Sequence, residues 1–366
     1  MNKLPLTKRQ IIEFFKKQKN IIVKSELLNL QNSQGRFLFE DLKSKVNLPP
    51  FNNSAVDGYA LLKKDLNNKY FYCTRRIAAG DKKNIKIKSG EAIRVFTGAR
   101  MPTNSSTIVM QENTIIDKDK IKILKFPSLG ENYRLKGEDI RKNKKILSKG
   151  TKINHQNINL IAASGIRKVK VYKKIRIGFF TSGNELRKPT NNLKNSEINN
   201  SNYFALNSLL DQRFISKQYF GNLKDNLNIV KSNLLRASKK NNIIITAGGA
   251  SVGDEDHLIN ALSSLGNIFF WRAAIKPGRP IAVGKINNCY VICLPGNPVS
   301  VQLLYAMLIK PLIEKLSGGK FKLPNSKKII ANFSMKKKTQ RMEWLRITKK
   351  TMNNQDVANK YPKQGS

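Results

Sequence analysis

Histidine and cysteine are scarce in this chain. Its 366 residues include two histidines, His155 and His257, and three cysteines, Cys73, Cys289 and Cys293. An odd cysteine count gives no disulfide framework, and no histidine lies close enough to Cys289 and Cys293 to complete a zinc-ligand spacing. Ordinary buried or half-buried thiols are expected. Neither histidine sits in a stretch that supplies the rest of a nucleophilic triad. Also absent are a P-loop, a G-x-G-x-x-G opening a helix after a strand, H-E-x-x-H and G-x-S-x-G. The usual grounds for kinase, dehydrogenase, zinc-protease and hydrolase chemistry are therefore missing. No apolar run reaches the roughly 18 residues that a bilayer crossing needs. The opening MNKLPLTKRQIIEFFKKQKN mixes charge into its apolar positions within each turn, unlike a signal peptide. A soluble cytoplasmic protein without membrane contact is expected.

Negative charge is also short. Asp and Glu number 24 against 68 Lys and Arg, a formal charge of +44. Such a balance suggests nucleic acid, but the lysines are spread over every segment, and the runs (Lys142 to Lys145, Lys336 to Lys338) are short. No zinc-finger spacing, RNP motif or basic region continuing into heptads is present. The charge predicts a basic solvated surface with no specific nucleic-acid partner, one that steers anionic substrates in a salt-dependent way.

What is present is a globular chain. Hydrophobic residues make up 40% and aromatics 8%, enough for sizeable cores and incompatible with a disordered or collagen-like chain. At about 150 residues per domain, the length predicts two or three domains. Residues 7 to about 30 carry helical apolar spacing (Ile11, Ile12, Phe15, then Leu27 and Leu28). VNLPPFNN is a loop, and short β-prone runs recur between Tyr70 and Ile123, forming a small β-rich domain. NINLIAASGI predicts a helix. From Ile175 the pattern changes to strands alternating with helices: IRIGFFTS, SNYFALNSLLDQ, a weak strand ISKQYFG, DNLNIVKSNLLRAS, NIIITAGG, DEDHLINALSSL, NIFFWRAAI, IAVGKINNCYVICLPG and VSVQLLYAMLIKPLIEKL. Such alternation predicts a parallel or mixed sheet with helices on both faces. The basic segment from about Leu323 is β-prone.

In open α/β sheets, ligands bind at the carboxyl ends of the strands. TSGNEL puts Glu185 there. TAGGASVGDED supplies Gly248, Gly249 and Gly253 for close backbone approach to an anion, then Asp254, Glu255 and Asp256. Tight turns and helix capping account for the same pattern equally well. IKPGRP presents Lys276 and Arg279 from a Pro/Gly turn with Arg272 just before it, a compact cationic site for an oxyanion or a phosphate. LPGNPVS offers Asn297 and Ser300 at a helix start. Asp57 in PPFNNSAVDGYAL, Thr97-Gly98 in RVFTGARMP, and Glu138 with Asp139 in GEDIR are weak signals singly, since Asp-Gly is a common turn.

Taken together, these stretches resemble the molybdopterin molybdenumtransferases, a family that includes bacterial molybdenum-insertion enzymes and the C-terminal domain of gephyrin. The matching stretches are LPPFNNSAVDGYAL, AIRVFTGARMPTNSSTIVMQE, YRLKGEDIRKN with LSKGTKIN, IGFFTSGNEL, NSNYFALNSLL, ITAGGASVGDED, AIKPGRPIAVGK and LPGNPVS. They run in family order from about residue 7 to 320.

The resemblance implies a multidomain α/β plus β protein. Its parts would be a helical linker domain (7–45 and 145–172), an inserted β-rich domain (46–144), a central three-layer α/β molybdenum-cofactor-biosynthesis domain (173–322) and a C-terminal β-barrel at 323–366. That last domain is short of the family's length, with about half of the barrel missing. It further implies a homodimer whose cleft lies between the α/β domain of one subunit and the β-rich domain of the other. The implied reaction inserts molybdenum from molybdate into adenylylated molybdopterin and releases AMP, with Mg²⁺.

The catalytic residues carried over are Asp57, Thr97, Asp139, Glu185, Asp225 and Asp256, of which Glu185, Asp225 and Asp256 would hold the metal. Substrate would meet Gly248, Gly249, Ser251, Arg272, Lys276, Arg279, Pro295, Asn297, Pro298 and Ser300. Contact with the molybdopterin adenylyltransferase and with molybdoenzyme acceptors is implied too. Departures from the family pattern are Asn184 where Asp is usual, Arg272 where Lys occurs, and Asn226 where a second Asp is common. Two alternatives stay open: a pterin-binding protein of the same fold without turnover, and a basic polyanion binder.

Overall fold

The computed structural model describes residues 4–82, 84–249, 257–336, 340–352 and 355–364. The chain divides into two compact units, one of residues 1–40, 149–154 and 169–366, the other of residues 41–148 and 155–168.

The first unit is built on a six-stranded sheet. Its strands are β1 (Ile175–Ser182), β2 (Ile215–Leu223), β3 (Ile243–Ala247), β4 (Asn267–Trp271), β5 (Ala282–Ile286) and β6 (Cys289–Leu294), in the order β2-β1-β3-β6-β5-β4. β2, β1, β3 and β6 are parallel, and β5 runs antiparallel to both neighbours. Four helices cover it: α1 (Ser201–Leu209), α2 (Leu227–Lys240), α3 (His257–Leu265) and α4, which starts at Pro298 and ends at Leu316.

The strand sequences explain the layers. IIITA is apolar throughout because both faces are covered. Ile243, Ile245 and Ala247 join Ile177, Phe179, Ile292 and Leu294 under α1, α4 and the amino-terminal helix. Ile244 joins Phe180, Val291 and Cys293 under α2 and α3. Alternate residues thus point to opposite faces, and each fully buried Ile or Phe contributes about 2 kcal/mol. The three-layer expectation holds for this unit. Cys289 and Cys293 are buried and outside any disulfide, as expected, and burial pushes the Cys289 thiol up to about 12.

Local chemistry sets the ends of the elements. Asn200 caps α1, accepting from the Tyr203 N–H, and Asn226 caps α2. Within α4, Lys310 N–H reaches back to Tyr305 O, forming a π-turn at Tyr305–Ile309 just before Pro311, whose missing N–H interrupts the α-helical ladder.

Two sequence expectations need correction, the amino-terminal helix and the carboxy-terminal barrel, while the weak strand is borne out. The helix predicted over 7 to about 30 spans only Lys8–Lys17, and Leu27 and Leu28 lie on a strand, Ser25–Asn29, paired with Lys168–Tyr172. The reason lies at Asn20, whose side chain accepts from the Ile22 N–H and donates to the Ile22 carbonyl. That local bonding competes with helix. The weak strand ISKQYFG is the full nine-residue β2, and at the sheet edge its polar residues face outward. Among the described residues after 323, Ile330–Ala331, Ile347–Met352 and Gln355–Lys360 form an open three-stranded sheet, with no closed barrel.

The second unit is β-rich, as expected. Gly58–Leu61 lies between Ile93–Val95 and Thr107–Met110, with Arg76–Ile77 outermost. A second sheet joins Tyr70–Tyr72, Lys120–Ile123 and Thr114–Asp117. Ala60, Ile93, Val95 and Ile108 form one core and Tyr59, Leu61, Phe71, Val109 and Ile121 another.

Candidate active site

In the first unit, register brings four strand ends to one edge. Ser182 pairs with Leu223, Thr181 with Ala247, and Ala247 with Leu294. The chain goes from β1 out to β2 and back across β1 to β3, so the strand order reverses between β1 and β3, where open α/β sheets bind ligands.

Glycine makes the floor of this edge. Gly248 has φ +100°, and a Cβ there would overlap the Ser182 carbonyl oxygen. Gly249 has φ +68°, and a Cβ there would lie 2.9 Å from Ser182 Oγ. Gly248 N–H donates to Leu294 O at 3.1 Å. The glycines therefore serve close packing: Gly248 against the backbone of β1 and Gly249 against the Ser182 and Leu258 side chains. Ser251, Gly253, Asp254, Glu255 and Asp256 lie outside the described residues.

The acids come from neighbouring strand ends. Glu185 is three residues beyond Ser182, exposed, and its carboxylate folds over Gly183. Asp225 is two residues beyond Leu223 and is also exposed. Among the described residues no group of three His, Cys, Asp or Glu assembles as a metal centre.

The cationic side is formed after β4. Arg272 adopts φ +73°. Its guanidinium lies 4.4 Å from the centroid of the Trp271 ring, and its Nε is buried without a partner. The turn closes through Ala273 N–H to Arg279 O at 2.8 Å. Lys276 and Arg279 are exposed, and Lys276 Nζ lies 4.0 Å from Glu343 of a short strand paired with Ile275–Lys276. On the β6 side, Pro295 is buried. Asn297 Oδ1 accepts from the Val299 and Ser300 N–H groups at the start of α4, with Pro298 at its first position, and Ser300 is 3% exposed. Asn297 acts as a cap, and Ser300 is part of the packing.

A polar network not anticipated from sequence supports the β1 end. Thr181 Oγ1 bonds Tyr219 OH at 2.9 Å and Asn222 Oδ1 at 3.0 Å and accepts from Asn200 Nδ2, while Asn222 Nδ2 donates to Gly183 O at 2.7 Å. Beside it lies a cavity of about 560 Å³ walled by Tyr203, Phe204, Tyr219, Arg187 and Lys188. The sequence signal is weak: Tyr219 lies in the weak strand ISKQYFG, and no motif singles out Thr181, Asn200 or Asn222.

The second unit contributes a separate corner. Gly58 faces Val95 across the sheet, so Asp57 and Thr97 leave adjacent strands at the same end. Asp57 Oδ1 accepts from Thr97 N–H and from Thr97 Oγ1, each at 2.7 Å. These bonds, backbone first, hold its carboxyl below the usual range, aided by the Arg94 charge. Gly58 is required here, because a Cβ would overlap Val109 O. Asp139 is held differently: Arg134 bonds Asp139 Oδ2 at 2.5 Å and Glu138 Oε1 at 2.6 Å.

Known proteins resemble this chain in sequence and in fold. Residues 7–165 match the family "MoeA N-terminal region (domain I and II)", and residues 178–315 match "Probable molybdopterin binding domain". The molybdopterin molybdenumtransferase of Haemophilus influenzae is 34% identical over 325 residues, 88% of this chain and 80% of that protein. The one from a Nostoc species is 33% identical over 304 residues, 80% of this chain and 70% of that protein. The crystal structure of the molybdopterin biosynthesis moeA protein from Pyrococcus horikoshii superposes with a TM-score of 0.83 at 27% identity, covering 99% of this chain and 91% of that one. On these matches the chain belongs to the molybdopterin molybdenumtransferase (MoeA) family.

Proposed function

We propose that this chain is the molybdenum-inserting enzyme of molybdenum cofactor biosynthesis. It takes adenylylated molybdopterin and molybdate, splits off AMP and places molybdenum on the pterin dithiolene. The observation that carries the reading is the carboxyl edge of the sheet, whose strand ends carry the closely packed Gly248 and Gly249, two exposed carboxylates and the Arg272, Lys276 and Arg279 cations.

Substrate phosphate and molybdate are both oxyanions, and guanidinium and ammonium groups bind such oxygens with charge-assisted bonds. Gly248 and Gly249 let an anion approach the backbone. The cavity walled by Tyr203, Phe204 and Tyr219 suits a flat heteroaromatic ring. Asp57 takes part as a fixed anion: with its carboxyl held ionised by Thr97, it is a poor proton carrier near neutral pH. Asp139 belongs to the same proposal.

Mg²⁺ would be held by Glu185, Asp225 and Asp256. A carboxylate set without His or Cys suits a hard divalent cation, and Glu185 and Asp225 leave neighbouring strand ends exposed. When bound, it offsets phosphate charge. A homodimer, a four-domain division with a partial carboxy-terminal barrel, a cytoplasmic location, and hand-over to and from an adenylyltransferase and molybdoenzyme acceptors complete the proposal.

The test is molybdate-dependent AMP release from adenylylated molybdopterin with Mg²⁺. Glu185→Ala and Asp256→Ala should each lower the rate by about 100-fold or more. Turnover unchanged in both variants would remove the acids from the reaction.

A further inference from the structure

Trp271 ends a lateral row of the central sheet. It pairs with Ala282, Ala282 with Cys293, Cys293 with Thr246, and Thr246 with Phe180. The indole packs against the apolar layer that holds Phe180, Ala282 and Cys293. This places it on one defined face of the sheet, three strands from Thr246, or roughly 14 Å at the usual strand spacing.

Everything about the ring is satisfied except its N–H. Trp271 Nε1 is buried and has no acceptor, and the same is true of Arg272 Nε beside it. Buried donors without partners are rare in folded proteins, and each needs an explanation. Here two occur on consecutive residues. The second is an arginine in the left-handed region, φ +73°, which side chains other than glycine seldom adopt and which clusters at ligand-binding sites. Its guanidinium is stacked 4.4 Å from the indole centroid, so the ring restricts where the charge can go. The apolar layer thus fixes the ring, the ring holds the guanidinium, and both residues stand at the carboxyl end of β4, where the turn bearing Lys276 and Arg279 begins.

We propose that Trp271 is a substrate-binding residue: its indole N–H donates to an oxygen of a tetrahedral oxyanion while its ring holds Arg272 against the same anion. The oxyanion is molybdate or the phosphate of the adenylylated pterin. The proposal rests on the transferase reading for the identity of the anion. A neutral donor of this kind adds direction to a site whose other donors, Arg272, Lys276 and Arg279, are all charged.

The chain has two tryptophans, Trp271 and Trp344, so the indole N–H region of a ¹H–¹⁵N TROSY spectrum holds two signals, assigned with Trp344→Phe. The full chain is titrated separately with molybdate and with AMP. The Trp271 indole proton should shift downfield and saturate while that of Trp344 stays put, and the anion that moves it names the oxyanion. Trp271→Phe, which keeps a ring under Arg272, should bind that anion about 10-fold more weakly by calorimetry. Suppose instead an anion binds and Arg279→Ala weakens it, yet the Trp271 signal stays fixed and Trp271→Phe binds as wild type. The inference then falls, with water as the indole's partner, and the transferase reading stands. If neither anion binds, the inference and the anion reading of the site fall together.

Discussion

The Asp57–Thr97 corner of the inserted unit and the carboxyl edge of the α/β unit both place polar groups at strand ends, but they are finished to different degrees. In the corner, the Asp57 carboxylate already takes both Thr97 donors, and Asp139 is matched by Arg134. At the edge, the glycines pack closely, while the Trp271 indole N–H and the Arg272 Nε–H have no acceptor and Glu185 and Asp225 are exposed. Closed hydrogen-bond sets fix the state of a group in the fold, whereas open ones leave the last partner to a ligand. The corner is therefore expected to respond to pH and to loss of its internal partners. The edge is expected to respond to anions and to anything that disturbs its floor.

The sharpest way to break this contrast is Gly248→Ala. The new Cβ would overlap the Ser182 carbonyl, and φ is +100°, so a loss of about 3 kcal/mol is expected, read by urea unfolding, with AMP release abolished. A loss below about 1 kcal/mol would mean that the floor yields. Next in size is Asn297→Ala, which removes the cap of α4 and should cost about 1 kcal/mol. Unchanged stability would mean that the two cap bonds of Asn297 are dispensable to the fold.

Thr97→Val tests the corner. It removes one of the two bonds that depress the Asp57 carboxyl but keeps the larger one, from the Thr97 N–H. The Asp57 titration, followed by carboxyl ¹³C NMR, should therefore move up yet stay below the ordinary value. Because the folded-state value is lowered, the stabilisation is present above the unfolded-state value and is lost as pH falls through the folded one. The stability gap between wild type and variant should accordingly narrow in acid, and a constant gap would deny the coupling. Smallest of all is Arg134→Ala. Its pairs with Glu138 and Asp139 are exposed, with the Asp139 side chain 59% accessible, and a change of about 0.5 kcal/mol or less is expected on thermal unfolding.

The strands that flank the edge were readable because they are continuous apolar runs ended by glycine: NIIITAGG and IRIGFFTSG can hardly be anything but doubly covered strands. The cationic turn and the glycine loop were readable as types of group. What could not be read depends on contacts far apart in sequence. Asp57 meets Thr97 across 40 residues, and only the family resemblance linked them. Thr181, Asn200, Tyr219 and Asn222 meet because α1 and β2 return to β1, and none of the four stands out in its own segment. Trp271 looked like one more apolar residue in NIFFWRAAI until register set it at the sheet edge. The apolar spacing of the amino-terminal helix continues past Lys17, but the local bonds of a single asparagine, Asn20, turn the chain.

The central claim is tested most directly by stoichiometry. Wild-type protein is given adenylylated molybdopterin, Mg²⁺ and limiting molybdate, and the AMP released is compared with the molybdenum retained on the pterin. The account predicts one AMP for each molybdenum inserted and no AMP without molybdate. AMP release that ignores molybdate, or tight pterin binding with no release at all, would contradict it.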